Sequence, residues 1–268
     1  MARHAQLKDY FGRDLAVRLA DKIQPLYTKF DNERFINQVG TAVDSLALKQ
    51  RVAAIADALH RQLPRRYTES IEVFLQILGP ENKKETGMFT KGYWLMPLAF
   101  YIEKYGTDAE NFDVSMEAIE AITKRNTGEY AIRPFLVRYP ERTIRVMQKW
   151  STSPHFHVRR LSSEGLRPRL PWTKRITTFS KNPSPIIDIL ENLKADPSAY
   201  VRRSVANNFN DLLKENYSFT IAVIRRWSID APKETRWIVK HALRNQIKSK
   251  NKEALQIIES TMNKPLPR

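Results

Sequence analysis

The sequence has no cysteine, little glycine and no long apolar run. It contains no cysteine among 268 residues, which excludes disulfide bridges, cysteine–zinc sites, iron–sulfur clusters and a thiol nucleophile. No stretch of about 18 apolar residues occurs, so no transmembrane helix is expected, and the first 19 residues lack the apolar core of a secretory signal. The 8 glycines are few and the 15 prolines fall mostly at segment edges, which indicates short helices joined by tight turns.

Acidic residues are scarce in the second half of the chain. Residues 1–134 carry 19 Lys and Arg against 18 Asp and Glu, whereas residues 135–268 carry 26 against 11. This asymmetry indicates a polyanionic partner for the second half. A basic surface that serves only solubility is the alternative.

The first half reads as a series of helices of uneven length. Leu7, Phe11, Leu15 and Leu19 recur at four-residue steps in a first helix within residues 1–30. Further helices are predicted at 33–63 with a break near Gly40, at 68–78, at 94–105, and at 113–125 with Asp113 as N-cap, with a loop at 80–93.

From about residue 127 the chain repeats itself. The segments FHVRRLSSEGL at 156–166, AYVRRSVANNF at 199–209 and RWIVKHALRNQ at 236–246 share a pattern, and each follows a proline-containing turn. Partner helices are predicted at 140–150, 185–194 and 219–228. Two helices in each period of about 40 residues indicate a HEAT-type solenoid, with an irregular helical bundle as the alternative.

Two surface features of these repeats suggest binding. The helix near 198–215 has a core face of Val201, Val205, Phe209 and Leu212, and another face of short polar residues: Ser204, Asn207, Asn208 and Asp211. The segment GLRPRLPWTKRI at 165–176 interleaves four basic residues with Trp172 and two prolines. Such a loop suits phosphate contact and stacking on a base, although a tryptophan that fills the space between repeats is the alternative.

Several other chemistries lack their motifs. The five histidines show no HExxH spacing, and the chain has neither a glycine-rich phosphate loop nor a G-x-S-x-G elbow. A hydrolase built from this sequence therefore has to work with carboxylates and no metal.

The strings VRRLSSEGLRPRLPW at 158–172 and DPSAYVRRSVANNFND at 196–211 resemble the AlkC branch of the AlkC/AlkD DNA glycosylases. TGEYAIRPFL at 127–136 and WIVKHALR at 237–244 fit the same resemblance, which runs in order along the whole chain. It implies an all-α fold, a curved HEAT-like solenoid with a concave basic face. One domain over 1–268 is expected, with divergent N-terminal helices at 1–126 and clear repeats at 127–268. Some members carry a C-terminal immunoglobulin-like domain, and this chain reads as a short form without it.

The resemblance also implies an activity, the release of cationic alkylated purines, chiefly 3-methyladenine, from double-stranded DNA, without a metal or organic cofactor. It places the catalytic carboxylates on Glu129, Glu164 and Asp211, and the residues near the lesion on Trp172 and Arg160. We expect the DNA to be held by the following residues: Arg159, Arg167, Arg169, Lys174, Arg175, Arg203, Asn207 and Asn208.

A cationic base leaves readily without an acid, so the enzyme has only to stabilise the sugar cation and place a water, and Asp211 is the first candidate for both tasks. A monomer in the bacterial cytoplasm, associated with the nucleoid through its DNA, is expected. Two alternatives remain at this point. One is a non-catalytic HEAT module that binds nucleic acid or a protein; the other is a peripheral membrane protein that uses the basic half, for which no convincing amphipathic helix is found.

Overall fold

A computed structural model describes residues 6–87 and 91–262, and over these ranges the protein contains fifteen α-helices, three short 3₁₀ helices and no strand. The predicted all-α class is confirmed. The chain divides into two compact units, each of which packs mainly within itself. Unit 1 comprises 1–83 and 87–132, and unit 2 comprises 84–86 and 133–268. Residues 88–90, inside the predicted loop at 80–93, lie outside the described residues.

Within 6–83 and 91–132, unit 1 forms six α-helices: α1 (Arg13–Ile23), α2 (Asn32–Val43), α3 (Leu48–Gln62), α4 (Tyr67–Ile77), α5 (Met96–Tyr105) and α6 (Phe112–Thr123). The 3₁₀ helices are Leu7–Tyr10, Tyr93–Leu95 and Ala109–Asn111. Of the four apolar residues predicted at four-residue steps in one helix, Phe11, Leu15 and Leu19 are fully buried, whereas Leu7 is half-buried and lies in a separate 3₁₀ helix before α1. α4 ends where predicted, because Gly79 adopts φ 74°, a left-handed conformation that glycine takes without a Cβ clash.

Two details of unit 1 differ from the sequence prediction. The 33–63 segment is interrupted between Val43 and Leu48 rather than at Gly40, which lies inside α2. A single glycine costs a helix about 1 kcal/mol but does not by itself end it. α6 begins at Phe112, with Asn111 as its N-cap instead of Asp113.

The described residues of unit 2 form nine α-helices: α7 (Arg133–Arg138), α8 (Pro140–Trp150), α9 (Phe156–Glu164), α10 (Ser184–Glu191), α11 (Ala199–Glu215), α12 (Tyr217–Trp227), α13 (Lys233–Ala242), α14 (Arg244–Lys248) and α15 (Lys252–Met262). Its organisation confirms the predicted helical repeat. The pairs α8–α9, α10–α11 and α12–α13 match the three periods, and α11 packs against both α9 and α13. The corresponding residues Val158, Val201 and Ile238 are fully buried, as are Val205, Phe209 and Leu212 on the predicted core face.

Residues 84–86 belong to unit 2 because they bind its helices. The Nε2–H of buried His157 donates to the Lys84 carbonyl at 3.0 Å, and a Glu85 carboxylate oxygen accepts from the Tyr200 amide at 3.2 Å. The second contact supplies an acceptor for an N–H in the first turn of α11 and places a negative charge at the positive end of the helix dipole. Among the described residues no helix is both long and apolar enough to cross a membrane.

Candidate functional site

The first arginine of each V-R-R string fixes the start of its repeat helix. In α9, the Arg159 guanidinium donates to the carbonyls of Ser153 and Pro154 at 2.9 and 3.1 Å. In α11, Arg202 does the same to the carbonyls of Asp196 and Pro197, at 2.7 Å each. These bonds tie each proline turn to the helix that follows it, and so orient both helices that carry the candidate site.

Arg159 also joins the two repeats. Its Nε and Nη2 donate to the two carboxylate oxygens of Asp196 at 2.6 and 3.1 Å, a bidentate pair in which the aspartate side chain is 3% exposed. Asp196 accepts from the Ser198 amide as well, and the Ser198 hydroxyl caps α11. Arg159, predicted as a DNA contact, is thus fully engaged in holding α9 to the turn before α11.

The second arginine of each string points elsewhere. Arg160 pairs with Glu164 at 3.4 Å, and its guanidinium lies over the Tyr200 ring at 4.8 Å from the centroid. Both side chains of this ion pair are largely buried, so the pair is not the weak exposed contact typical of i,i+4 positions on a helix surface. Arg203, the equivalent residue in α11, is exposed.

Two predicted catalytic carboxylates meet at one arginine. Arg167 donates through Nη1 to Glu164 Oε1 at 2.8 Å and through Nε to Asp211 Oδ2 at 2.9 Å. The other Glu164 oxygen accepts from the Ser204 hydroxyl at 2.6 Å. We call Glu164, Arg167 and Asp211 the carboxylate clasp. Its side chains are only 7–11% exposed, so Arg167, predicted to hold a phosphate, is a bridge between repeats.

The two carboxylates differ in acidity. Burial acts to raise the pKa of Glu164, but Arg160, Arg167 and Ser204 outweigh it and hold the pKa below its ordinary value. Burial raises the pKa of Asp211 above its ordinary value despite the hydrogen bond from Arg167. Glu164 is therefore the fixed anion of the clasp, and Asp211 is the more basic of the two.

A third cation lies beside the clasp. Arg244, at the start of α14, donates to the Asn207 side-chain oxygen at 2.9 Å and to the His241 carbonyl at 2.7 Å. Burial lowers its pKa, the charge of Arg167 lowers it further, and Asp211 opposes the shift. Asn207, predicted to contact DNA, is half-buried, and its side-chain oxygen accepts the hydrogen bond from Arg244.

Asn208 is fully buried and donates to the Ser163 carbonyl at 2.8 Å, so it joins α11 to α9 rather than presenting its amide to solvent. Sequence reasoning placed Asn208 on the same polar face as Asn207. It did not assign Arg244, although that residue lies in the WIVKHALR string of the third repeat.

Trp172 stands on a braced loop. Its side chain is 54% exposed, which excludes the alternative that it fills the space between repeats. Its backbone has φ 65°, a left-handed conformation that is rare for a bulky residue and is found where surrounding contacts impose it, often at functional sites. Arg133 supplies part of that constraint by donating to three loop carbonyls, those of Gly165, Arg167 and Lys174, at 3.2, 2.8 and 2.7 Å.

Two of the basic residues of this loop, Arg169 and Arg175, are held by one acid that sequence reasoning missed. Glu215, the last residue of α11, accepts from Arg169 Nε at 2.6 Å and also pairs with Arg175. The two arginine side chains remain 43% and 49% exposed, whereas that of Glu215 is 0% exposed. The sequence feature that could have identified Glu215 is its position four residues after Asp211 on the same helix, in a chain whose 165–176 loop is rich in cations. Lys174, also in the loop, is exposed.

Glu129 belongs to unit 1 and is held locally. It is 3% exposed, and its Oε2 accepts from the Thr127 hydroxyl at 3.0 Å. The predicted catalytic carboxylates are therefore divided between the two units, with Glu164 and Asp211 together in unit 2. Within the described parts of the chain, no group of three or more His, Asp or Glu residues is arranged to hold a metal ion.

Comparisons with known proteins assign this arrangement to a family. No protein-family model matches the chain. It is 35% identical over 254 residues to the uncharacterized protein YhaZ of Bacillus subtilis (strain 168), a match that covers 94% of this chain and 68% of YhaZ.

The structure is similar to that of Pseudomonas fluorescens AlkC, an alkylpurine DNA glycosylase solved bound to DNA containing an abasic site analog. The TM-score is 0.85 at 34% identity, over 95% of this chain and 68% of the AlkC chain. AlkD2 from Streptococcus mutans matches with a TM-score of 0.40 at 22% identity over 89% of this chain and 98% of AlkD2, a likeness too weak to add to the assignment. On its sequence and its fold, this chain belongs to the AlkC family of DNA glycosylases.

Proposed function

We propose that this protein is a DNA glycosylase that hydrolyses the N-glycosidic bond of cationic alkylated purines, chiefly 3-methyladenine, in double-stranded DNA. The observation that carries the proposal is the carboxylate clasp, two buried carboxylates from neighbouring repeats joined by Arg167, in a chain that also exposes Trp172. The membership of this chain in the AlkC family supports the class of reaction, the hydrolysis of an N-glycosidic bond in DNA.

The reaction does not need a general acid, because the alkylated base is already cationic. The C1′–N bond breaks, its electron pair neutralises the cationic base, and positive charge develops on the sugar. Asp211 opposes that charge and accepts a proton from the water whose oxygen bonds to C1′. A pKa above the ordinary aspartate value suits a general base, because proton transfer to a more basic oxygen is easier. The leaving group is already activated, so the step requires no metal.

Glu164 supports Asp211 through the shared arginine. Its low pKa keeps it ionised, and it fixes Arg167 with the help of Ser204, so that the Asp211 carboxylate is held in one orientation. Such preorganisation is what lets a charged group stabilise a transition state without reorganising during the reaction. Glu129 is assigned a supporting role toward the site by the family resemblance.

Trp172 offers its exposed indole to the damaged nucleotide. An indole face attracts a cation more strongly than other aromatic rings do, so it favours a methylated purine over a neutral one. The exposed cations on the loop and on α11 would contact phosphates: Arg169, Lys174, Arg175 and Arg203. We propose that the protein acts on DNA as a monomer.

The test is base release by an Asp211→Asn variant. Purified protein is incubated with methylated DNA under single-turnover conditions with saturating enzyme, and free 3-methyladenine is measured by chromatography. Losing one preorganised charge of this kind costs on the order of 10²–10³ in rate. DNA affinity should be equal or slightly higher, because a negative charge leaves a phosphate-binding surface.

Asp188→Asn is the matched control, since Asp188 is an exposed aspartate on α10, and it should excise at the wild-type rate. If Asp211→Asn excises at a near wild-type rate, Asp211 is not the catalytic carboxylate and Glu164→Gln becomes the variant to test. If the wild-type protein releases no base while it still binds DNA, the glycosylase proposal fails and a non-catalytic DNA-binding module replaces it.

A further inference from the structure

α13 exposes an aromatic stack that none of the roles above uses. The Trp237 and His241 rings lie nearly parallel, at 12° and 4.9 Å between centroids, and Trp237 is 39% exposed. The neighbouring apolar residues Ile238, Val239 and Ala242 are buried, so the core face of α13 is complete without the tryptophan. Trp237 and Trp172 are the exposed tryptophans; the other three, Trp94, Trp150 and Trp227, are each 5% exposed.

This stack continues the surface that carries Asp211. Asp211, Asn207 and Arg203 follow each other at four-residue steps on α11, which packs against α13. Arg244, the first residue of α14, donates to the Asn207 side-chain oxygen at 2.9 Å and to the carbonyl of His241 on α13 at 2.7 Å, so it links the polar face of α11 to the helix that carries the stack. Arg244 therefore lies near Asp211, and the aromatic stack on α13 lies near Arg203.

The charges around the stack suit a nucleotide. Burial lowers the pKa of His241, and the nearby positive charges of Arg244 and Arg203 lower it further, which favours the neutral ring and its stacking as an aromatic surface. Arg203 is exposed and carries its charge at the edge of the stack. An exposed aromatic face with a neighbouring arginine is the arrangement with which proteins hold a base that has left its base stack, together with its phosphate.

We infer that Trp237 and His241 form a second stacking platform, which holds a nucleotide that is unstacked from the duplex next to the damaged one, while Arg203 contacts its phosphate. The inference rests on the proposed function for the presence of a damaged nucleotide, whereas the platform itself requires only DNA. This platform is separate from Trp172, because Trp237 and His241 lie on α13 whereas Trp172 lies on the loop after α9.

The first experiment reads Trp237 directly. In a Trp172→Phe background Trp237 is the remaining exposed tryptophan, so acrylamide quenching of the protein fluorescence reports on it. Saturating amounts of a duplex with an abasic-site analogue should reduce this quenching. The Trp172→Phe, Trp237→Phe double variant should show low quenching that DNA does not change.

The second experiment measures affinity by fluorescence anisotropy over a range of salt concentrations. Trp237→Ala should raise the Kd by roughly 5- to 150-fold, the range that corresponds to one base–aromatic stack, with the salt slope unchanged. Arg203→Ala should reduce the log–log salt slope by about 0.9, the value for one phosphate contact. Ile229→Ala removes another exposed apolar side chain, 63% exposed at the end of α12, and should leave the Kd unchanged.

The outcomes separate this inference from the proposed function. The inference is overturned if Trp237→Ala changes the Kd less than twofold, or if DNA leaves the quenching of Trp237 unchanged; base release by the wild-type protein then still stands or falls by itself. Protection of Trp237 by DNA in a protein that releases no base would sustain the platform and refute the glycosylase. An unchanged thermal midpoint for Trp237→Ala establishes that a loss of affinity is not a loss of folding.

Discussion

Replacing Arg167 by methionine tests whether the clasp arginine holds carboxylates or phosphate. Methionine is similar in length and removes both ion pairs. Glu164 keeps Arg160 at 3.4 Å and Ser204 at 2.6 Å, whereas Asp211 loses its hydrogen-bonding partner at 2.9 Å. Leaving one buried carboxylate uncompensated typically costs about 3–5 kcal/mol in free energy of unfolding.

The pH sets an upper limit to that cost. An uncompensated buried aspartate takes up a proton when burying its charge would cost more free energy than protonating it. With a pKa of about 3.9 in the unfolded chain, protonating an aspartate at pH 7 costs about 4 kcal/mol. We therefore expect Arg167→Met to lose about 3–4 kcal/mol at pH 7 and no more than about 1.5 kcal/mol at pH 5. The sign follows from linkage: in the variant the folded-state pKa of Asp211 rises further above the unfolded value, so the penalty is full at high pH and is relieved as pH falls.

Urea unfolding at both pH values, with DNA anisotropy against salt, distinguishes the two roles. A clasp arginine changes stability and leaves the salt slope unchanged. Arg203→Met is the contrast, because Arg203 is exposed: its stability should stay within about 0.5 kcal/mol while the slope falls by about 0.9. If Arg167→Met is as stable as the wild type at pH 7 and loses salt slope instead, Arg167 is a phosphate contact and the reasoning from burial is refuted.

Two further predictions concern the elements around the clasp. Glu215→Gln removes the buried charge that holds Arg169 and Arg175, so trypsin should cleave the Trp172 loop faster and kcat/KM should fall several-fold; cleavage at the wild-type rate would show that Glu215 does not brace the loop. Burial and the neighbouring His155 lower the pKa of His157 to about 4, so the folded protein should lose up to about 3 kcal/mol of stability as pH falls from 6.5 to 4. Urea unfolding of His157→Gln should show a smaller loss over that range, and an equal loss would contradict the assignment.

Local pattern was enough to predict most of the helices of the second half. The strings at 156–166 and 199–209 correspond to α9 and α11, and the string at 236–246 is divided between α13, which ends at Ala242, and α14. Apolar residues at helical spacing after a proline turn leave few other structures. Boundaries were less predictable. The break after Val43 and the start of α6 at Phe112 were not predicted, because Gly40 lies inside α2 and Asp113 lies inside α6, so both residues were misleading local signals.

The sequence by itself determined the helical class, the repeat, the basic second half and, through its resemblance, the family; each depends on composition or on order along the chain. Only the tertiary structure decided which charges meet. Arg159 and Arg167 read as free cations in the sequence, but Asp196 is 37 residues from Arg159, and Asp211 is 44 residues from Arg167. Packing of α11 against α9 brings these partners within 3 Å and removes them from water, so a run of basic residues separates into buried ion pairs and exposed cations.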